Sequence, residues 1–530
     1  VGESGLDLSR TVGWFTSIYP VRLDFDMIDL DAAYEGKAAA GYALRVMKEE
    51  LRRSSDRGLG YGLLRWLNEA TREELSHLPQ AQIAFNYLGR FEGSGEDKKK
   101  HSDWRLLQEG LVGGEDDPAR QRFHLLEVNA VLDGSGSLRI TWGYNPKAHQ
   151  EASIADLAQR YSHALNALTK HCQSAPLYQR LTPSDFPLAR QLGLDQDLLD
   201  RLTTDPDFEE VLPLTSLQQG LAYESWSQGE DRKADPYHVQ IALELKGSLD
   251  AARLRMAFER LVGRHKILRL RLPFAALDRG LGVIGKSGLD WRYEHGDERS
   301  LEDWLREDHA EAFDLGRGPL IRARVIKHDA IRHTLILSSH HAILDGWSSS
   351  IILAELAALY RGENLLPAPD WRDHLAWLSS RKKEKSLSFW RDYFLDFDDS
   401  GMLDLPVPRT KPDDTAMGEY SQIVPDYVMR SLEDFARQND LTVSTIFEAA
   451  FALLLAHFNG RSEITIGVTR SGRVAYNEKF DRAVGLYIVT LPLRIKILLN
   501  NNLIHWLQTV QKDQADQEEH SHISLSDIQI

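Results

Sequence analysis

The spacing of apolar side chains predicts strands interleaved with helices along most of the chain. Residues 123–132 alternate between apolar and polar, residues 133–136 form a glycine-rich break, and the alternation resumes towards Tyr144, a pattern typical of a β-hairpin. A helical period follows over 154–171. Residues 443–458 are apolar on nearly every side, which predicts a helix buried in a large lobe. These alternating patterns favour an α/β sandwich.

Two distant segments align without gaps and indicate a repeated unit. Residues 12–23 match residues 484–495, with valine, glycine, proline and arginine identical at equivalent positions. A helical stretch and a polar break follow each copy. The long separation predicts two copies of one supersecondary unit and not a solenoid, which would require a short period.

The stretch 338–348, between a β-like run and a helical pattern, carries the most specific candidate chemistry. Because a strand alternates its side chains between two faces, the adjacent His340 and His341 are predicted to point in opposite directions. One of them can then face a reaction site while the other is held inside. Asp345 and Gly346 follow at a predicted turn, where a carboxylate can fix local geometry and glycine permits a tight backbone.

Two simpler interpretations of the histidine pair compete with a catalytic one. A metal site has some chemical basis, since imidazole and carboxylate ligands suit zinc or non-haem iron. Adjacent strand histidines cannot easily share one ion, however, and no third ligand stands at a suitable spacing. A pair of core histidines explains the two residues but not the pattern that continues to Ser348. The sequence therefore favours a reaction site.

Composition and charge exclude several classes of function. Of the 530 residues, 42% are hydrophobic and 27% charged, which is ordinary for globular domains, and the length favours roughly three or four units. A net charge of −16 argues against nucleic-acid binding, since such proteins usually carry a basic patch. No apolar run approaches the ~20 residues that span a bilayer, and no signal peptide is recognisable. The single cysteine, Cys172, excludes an intrachain disulfide and indicates a cytoplasmic protein.

The stretch that contains the histidine pair resembles a motif of a known enzyme superfamily. Residues 340–348 are similar to HHxxxDG, in the longer form HHxxLDGWS, of the condensation superfamily of nonribosomal peptide synthetases. The resemblance is specific because residue types, order and spacing agree together. Two positions elsewhere depart from the family: His374 stands where tyrosine is more frequent, and Val489 where asparagine is usual. Other stretches resemble further condensation motifs in the family's order, namely 212–220, 264–269, 371–377, 467–473 and 484–495.

The beginning of the chain resembles a different branch of the same superfamily. Residues 7–16, 57–62 and 85–89 are similar to three motifs of epimerization domains, again in the family's order. The last of these contains Asn86 and Tyr87, and Tyr87 corresponds to an active-site tyrosine of that branch. The resemblance implies the C-terminal lobe of an epimerization domain.

Together the resemblances imply a domain organisation. Residues 1–172 are identified as the epimerization-domain lobe, 173–210 as a linker, and 211–385 and 386–530 as the N-terminal and C-terminal lobes of a condensation domain. The implied fold class is α/β, with chloramphenicol-acetyltransferase-like lobes in which mixed sheets are flanked by helices. The two lobes of the condensation domain are expected to form a V.

Both domains are predicted to be incomplete. The epimerization-like part has no HHxxxDG motif of its own, so Tyr87 stands without the partners it has in the family. In the condensation-like part, the second copy of the repeat is not followed by counterparts of the 85–89 strand and the 123–145 hairpin. We expect no epimerization by this chain.

The resemblance also implies a reaction and its residues. In the family, the α-amine of an acceptor aminoacyl thioester attacks the carbonyl of a donor thioester. His341 matches the functional histidine, either as a general base or as a group that orients the amine. His340 and Asp345 are implied to be structural, with Arg269 as the candidate partner of Asp345 and a second catalytic base as the competing role for that carboxylate. Gly346 would let the substrate arm pass close to the backbone.

The implied partners are donor and acceptor peptidyl carrier proteins, which supply phosphopantetheine arms, and an adjacent adenylation domain. No tightly bound cofactor, metal, nucleic acid or membrane is expected. The epimerization-like part and the LDGWS form both favour a donor that ends in a D-residue and an L-aminoacyl acceptor. Two alternatives stay open: a coenzyme A-dependent acyltransferase of the same superfamily, and an inactive fragment that docks carrier proteins.

Overall fold

Helices and strands alternate through the part of the chain that the computed structural model describes, which is residues 11–13, 15–54, 58–90, 123–132, 137–176, 179–227, 235–286, 288–296, 299–397, 420–473, 478–497 and 502–528. The chain divides into two units, Val1–Asp185 and Phe186–Ile530, which are named unit 1 and unit 2.

Unit 1 combines a small sheet with helices. The sheet order is β1-β2-β3, with β1 parallel to β2 and β2 antiparallel to β3. Leu132 lies opposite Leu138, so the predicted hairpin is confirmed, and its turn at 133–136 lies outside the described residues. The helix predicted over 154–171 is confirmed within α5. The elements are α1 (Leu30–Tyr34), α2 (Ala38–Arg53), α3 (Leu59–Gly62), α4 (Glu69–Ser76), β1 (Ile83–Arg90), β2 (Leu126–Leu132), β3 (Leu138–Tyr144) and α5 (Glu151–Ser174).

Unit 2 contains three sheets among its described residues, with strand orders β5-β10-β9-β8, β4-β7-β6 and β11-β12. Helices flank these sheets, as expected for an α/β class with mixed pairing. The strands are β4 (Phe208–Pro213), β5 (His238–Lys246), β6 (Leu270–Arg271), β7 (Leu281–Gly285), β8 (Asp290–His295), β9 (Ile321–Lys327), β10 (Arg332–His340), β11 (Glu463–Arg470) and β12 (Val489–Lys496).

The helices of unit 2 precede, connect and follow these strands. They are α6 (Pro187–Gln191), α7 (Gln196–Leu202), α8 (Ser216–Ser227), α9 (Ala251–Arg264), α10 (Phe274–Leu277), α11 (Leu301–Ala310), α12 (Gly346–Arg361), α13 (Trp371–Ser380), α14 (Lys383–Tyr393), α15 (Asp426–Gln438), α16 (Val443–Asn459), α17 (Glu478–Asp481), α18 (Leu503–Glu519) and α19 (Leu525–Ile528).

The two faces of β10 differ in chemistry. Leu335 packs into the main apolar core of unit 2, together with residues of α9 and α12. Ile336, on the opposite face, packs against Trp304 of α11. Ser338 and His340 share the face of Ile336 by the alternation of a strand, and both are fully buried. His340 therefore ends the strand inside a buried layer that is rich in polar groups.

The two copies of the sequence repeat differ in secondary structure. The second copy includes β12, which pairs along its full length with β11. The described residues of the first copy, 12, 13 and 15–23, form no strand. A strand needs a neighbour for its backbone hydrogen bonds, and no described strand pairs with this segment. Equal sequence patterns therefore give different local structures in the two units.

Part of the segment predicted as a linker, 173–210, is packed structure. Pro187 occupies the first turn of α6, where its missing amide hydrogen costs nothing. Leu198 and Leu199 on α7 are fully buried, as is Phe208 at the start of β4. The boundary between the units falls between Asp185 and Phe186.

The helix predicted over 443–458 is confirmed as α16, but its expected burial on every side is wrong. Its small side chains face the second core of unit 2, so the helix approaches that core closely on one side only. The buried positions are Thr445, Ala449, Ala452, Leu455 and Ala456, and large side chains about half exposed are those of Phe447, Phe451, Leu454 and Phe458. A helix that is apolar on nearly every side is therefore not necessarily buried on every side.

Within the described ranges, no single helix combines the length and apolarity needed to cross a membrane. The pair α15 and α16 passes that test of length and composition together, with a bend of 109° between the two helices.

Candidate active site at the end of strand β10

His340 is fully buried and held by hydrogen bonds at both ring nitrogens. Its Nδ1 accepts from the main-chain N–H of Ala342 at 3.1 Å. Its Nε2 lies 3.2 Å from the hydroxyl of Ser225 and 3.6 Å from a carboxylate oxygen of Asp235. All three side chains are fully buried. The structure therefore places His340 inside the protein.

His341 is the first residue beyond β10, and its surroundings are different. Its main-chain N–H donates to the carbonyl oxygen of Tyr237 at 2.8 Å, which ties the turn to the residue before β5. Its side chain is partly exposed. Its Nδ1 is buried and has no hydrogen-bond partner among the described residues. The two histidines therefore differ in burial, as strand alternation predicts.

Asp345 caps the N-terminus of α12. Its Oδ1 accepts from the main-chain N–H of Ser348 at 2.7 Å, and its Oδ2 accepts from the main-chain N–H of Tyr487 at 3.0 Å. The guanidinium of Arg473 donates to the same two oxygens at 3.2 and 3.4 Å. Each carboxylate oxygen thus accepts two hydrogen bonds, which accounts for the full acceptor capacity of the group.

The arginine that pairs with Asp345 is Arg473, and the expectation of Arg269 is wrong. Arg269 donates instead to the carboxylate of Glu209 and to the carbonyl oxygen of Gly285. Its position explains the difference, because Arg269 directly precedes β6 in the sheet β4-β7-β6, whereas Asp345 follows a strand of another sheet.

Two further residues complete a buried cluster with Asp345. The Ser348 hydroxyl donates to the carbonyl oxygen of Gly485 at 2.7 Å and accepts from the Gly485 N–H at 3.0 Å and from Arg473 at 2.9 Å. Residue 485 must be glycine, since a Cβ there would lie 2.3 Å from the ring of Trp371. Asp345, Ser348, Arg473, Gly485 and Tyr487 are named the Asp345 cluster. Through it, the start of α12 is bound to the segment 473–487.

Gly346 is the first residue of α12 and is exposed. A Cβ added at this position would meet no heavy atom within 4 Å among the described residues. The glycine therefore leaves open space beside the histidine turn, and the passage of a substrate arm through that space stays a prediction.

His374 lies in an aromatic cluster beside the Asp345 cluster. Its ring centroid lies 5.0 Å from that of Trp371 and 4.6 Å from that of Tyr487. Its Nδ1 is buried with no hydrogen-bond partner in the described structure. Burial, together with the charge of Arg473, lowers the pKa of His374 to about 3. The histidine is therefore neutral at neutral pH.

We expect His374→Phe to make the fold less sensitive to acid. Unfolded histidine titrates near pH ~6.5, so between that value and the folded pKa of about 3 the unfolded chain binds more protons, and stability falls as the pH falls. The titration of His374 alone lowers the free energy of unfolding by about 3 kcal/mol between pH 7 and pH 4.5. Urea unfolding at the two pH values measures the difference. His505→Phe, at an exposed position of α18, is the control, and an equal acid loss in wild type and His374→Phe would contradict the prediction.

Asn86 and Tyr87 lie on β1 in unit 1. The side-chain amide of Asn86 donates to the Asn129 side chain of β2 at 3.2 Å. The Tyr87 side chain is 56% exposed. Of the resembling motifs nearby, residues 7–10, Trp14 and Arg57 lie outside the described residues. The structure therefore places these two residues on an open strand surface.

Several residues of the site were missed by the sequence analysis. Ser225 and Asp235 give no local signal, because a serine in a helix and an aspartate before a strand are common. Arg473 and Gly485 stood inside stretches that were matched to motifs, but nothing local indicates that they reach Asp345. Among the described residues, no group of three or more His, Cys, Asp or Glu side chains is arranged to hold a metal ion.

Comparisons with known proteins agree with this arrangement. A model of the condensation domain family matches residues 2–186 and 208–530. The chain is 33% identical over 542 residues to a linear gramicidin synthase from Brevibacillus parabrevis, covering 99% of this chain and 10% of that protein. It is 29% identical over 545 residues to bacitracin synthase 3 of Bacillus licheniformis, covering 99% of this chain and 8% of that protein. The chain thus spans a tenth or less of the length of these curated relatives.

A solved structure shares the fold. The condensation domain of the monacolin K polyketide synthase MokA aligns with a TM-score of 0.51 at 18% identity, covering 61% of this chain and 76% of that one. This likeness confirms the expected fold class, mixed sheets flanked by helices as in chloramphenicol-acetyltransferase-like lobes. The family match extends over most of the chain, including the histidine turn and the Asp345 cluster. The chain belongs to the condensation domain family.

Proposed function

We propose that unit 2 forms peptide bonds in nonribosomal peptide synthesis, between a carrier-bound donor thioester and the amine of a carrier-bound aminoacyl acceptor. The observation that carries the proposal is the contrast at the end of β10. His340 is buried and bonded at both ring nitrogens, whereas the adjacent His341 is partly exposed and its Nδ1 has no partner in the described structure. An imidazole that is partly exposed, with no described side-chain hydrogen bond to hold it, is able to receive a substrate proton or hold a substrate N–H through its accessible part.

The reaction follows from the chemistry of the two substrates. The acceptor nitrogen attacks the donor carbonyl carbon, a C–N bond forms, the C–S bond breaks, and the amine proton leaves while the thiolate of the donor arm gains one. Thioesters are already activated, so orientation supplies much of the acceleration. His341 contributes as the base for the amine proton or as the group that orients the amine.

Asp345 supports this site by position and does not react. Its oxygens accept hydrogen bonds from Ser348, Tyr487 and Arg473, and its side chain is only 1% exposed. A second base would need a free oxygen directed at substrate, and the four accepted bonds leave none. The geometry therefore favours a structural carboxylate that holds the start of α12.

The partners follow from the proposed reaction. Donor and acceptor peptidyl carrier proteins would bring the substrates on phosphopantetheine arms, and an adenylation domain would lie next along the synthetase. Unit 2 itself needs no tightly bound cofactor for this chemistry, and we place the reaction in the cytoplasm. In unit 1 we propose an epimerization-domain lobe that does not epimerize, since Tyr87 lies on an exposed strand surface.

A donor that ends in a D-residue is the proposed stereochemistry. Trp347, part of the LDGWS form, is 55% exposed, and its indole N–H donates to the carbonyl oxygen of Asp481 at 3.0 Å. The side chain is thereby fixed in place while one side stays accessible beside Gly346. A rigid aromatic surface at this point is suited to discriminate between donor configurations.

We expect single-turnover assays with carrier-bound donors to yield peptide from the D-donor at least about tenfold faster than from the L-donor, a difference of about 1.4 kcal/mol in activation free energy. The acceptor is an L-aminoacyl carrier protein, and product is measured by mass spectrometry. Donors loaded on coenzyme A form a parallel arm, and turnover with them alone would favour the acyltransferase alternative.

The remaining outcomes are also decisive. Equal rates with D- and L-donors would contradict the stereochemistry but not the condensation. The protein could also bind carrier proteins in calorimetry and unfold cooperatively, yet form no peptide from either donor. That result would replace condensation with the docking alternative.

A further inference from the structure

We infer that Ser225 and Asp235 are positioning residues for His341, acting through a buried chain of hydrogen bonds that fixes the histidine turn. The inference rests on the proposed function and extends it to two residues that touch neither substrate. Ser225 lies on α8, and Asp235 lies three residues before β5, so two separate elements converge on the end of β10.

The burial of Asp235 is the first observation. Its side chain is 0% exposed, and a buried carboxylate is destabilising unless hydrogen bonds compensate for the lost water. Its Oδ1 accepts from the Ser225 hydroxyl at 3.1 Å and from the main-chain N–H of Tyr237 at 3.0 Å. The carboxylate is thus used to hold one side chain and one stretch of main chain at the same point.

The proton positions along this chain follow from one fixed donor. The main-chain N–H of Ala342 can only donate, so Nδ1 of His340 must accept and carries no proton. The proton of the neutral ring therefore lies on Nε2, which donates to the Ser225 hydroxyl, and that hydroxyl donates to Asp235. The hydrogen bonds run in one direction, from Ala342 through His340 and Ser225 to Asp235. This order of donors and acceptors holds His340 as a single neutral tautomer.

Two routes connect Asp235 to the reactive histidine. One runs through Ser225 and His340, the residue directly before His341. The other runs through Tyr237, whose N–H donates to Asp235 and whose carbonyl oxygen accepts from the His341 N–H. The main chain is therefore held by hydrogen bonds on both sides of the His341 Cα, at the N–H of His341 and at the N–H of Ala342.

Helix α8 adds a third contact to the same turn. The buried side chain of Gln218 donates to the carbonyl oxygen of Ala342 at 2.9 Å. Gln218 and Ser225 are seven residues apart, two turns along one face of the helix. One face of α8 therefore bonds to residues 340 and 342, which flank His341.

The first test is a change in rate without a change in binding. We expect Ser225→Ala to lower the single-turnover rate about tenfold or more at saturating carrier protein, since small displacements of a reacting group are costly, and to leave the KM for the acceptor carrier unchanged. Ser227→Ala is the matched control, because Ser227 is exposed on the same helix and its hydroxyl bonds within that helix. A rate equal to wild type in Ser225→Ala, or a loss that only follows the unfolded fraction, would overturn the inference.

The second test does not depend on turnover. In the protein labelled with ¹⁵N-histidine, we expect His340 to show a protonated Nε2 and an unprotonated Nδ1 at pH 7. We also expect the His341 ring signals, assigned with His341→Gln, to shift in Ser225→Ala but not in Ser227→Ala. A wild type that forms no peptide would overturn the proposed function, whereas a doubly protonated His340 or unshifted His341 signals would overturn the positioning role.

Discussion

His341→Ala is expected to lower the rate of peptide bond formation by about 10²- to 10⁴-fold, the range typical of a lost proton-transfer group. The fold should be unchanged, because the only hydrogen bond described for His341 is made by its main-chain N–H, which alanine retains. Its side chain is partly exposed and its Nδ1 has no partner within the described structure, so truncation leaves no broken contact behind. Single-turnover product formation and thermal unfolding measure the two effects separately.

His340→Ala is the matched control for that experiment. It removes a fully buried ring that bonds to Ala342 and Ser225, so it leaves buried polar groups unsatisfied and creates a cavity. The expected loss is at least about 2 kcal/mol of unfolding free energy. The two single substitutions should therefore give opposite results. His341→Ala should lose turnover and keep a stable fold, whereas His340→Ala should lose stability. Full turnover in a folded His341→Ala protein would remove His341 from the reaction.

Arg473→Met is expected to destabilise unit 2 by about 3–5 kcal/mol, the usual cost of removing one partner of a buried ion pair. Arg473 and Asp345 are 3% and 1% exposed in their side chains, so water cannot replace the lost partner. Arg473 also donates to the carbonyl oxygens of Phe480 and Ala483 at 2.6 and 2.8 Å, and these bonds are lost with it. Denaturant unfolding at pH 7 measures the change.

A double-mutant cycle distinguishes the correct arginine from the one expected from the sequence. Asp345→Asn combined with Arg473→Met should show a coupling energy, since the two groups are in contact. Asp345→Asn combined with Arg269→Met should be additive, because Arg269 bonds to Glu209 and Gly285 instead. A coupling to Arg269 and none to Arg473 would contradict the structure.

Local patterns predicted much of the fold and the central residues of the site. Strand alternation gave the hairpin of β2 and β3 and the different burial of His340 and His341, because period and turn chemistry are properties of neighbouring residues. The long apolar segment gave α16. Its exposed aromatic side was not predictable, since which side of an apolar helix meets a core depends on the surrounding elements.

The partners of the site residues required the tertiary structure. Arg473 lies 128 positions from Asp345, and Ser225 lies 115 positions from His340. No spacing rule links residues across such distances, and Arg269 was the candidate because the family resemblance implies an arginine partner and residues 264–269 resemble a condensation motif. Resemblance to a family indicated His341 as the candidate reactive residue, whereas the chain of hydrogen bonds through Ser225 and Asp235 came from atomic positions alone.

The Asp345 cluster has a consequence for how this protein is made and recombined. On the ribosome, the histidine turn emerges long before Arg473 and Gly485, so the start of α12 cannot acquire its full set of bonds until the segment through residue 487 has been synthesised. For the same reason, a hybrid chain joined anywhere between the end of α12 and residue 487 would take Asp345 and Ser348 from one parent and at least one of Arg473, Gly485 and Tyr487 from another. Exchange points outside that interval keep both halves of the cluster from one parent.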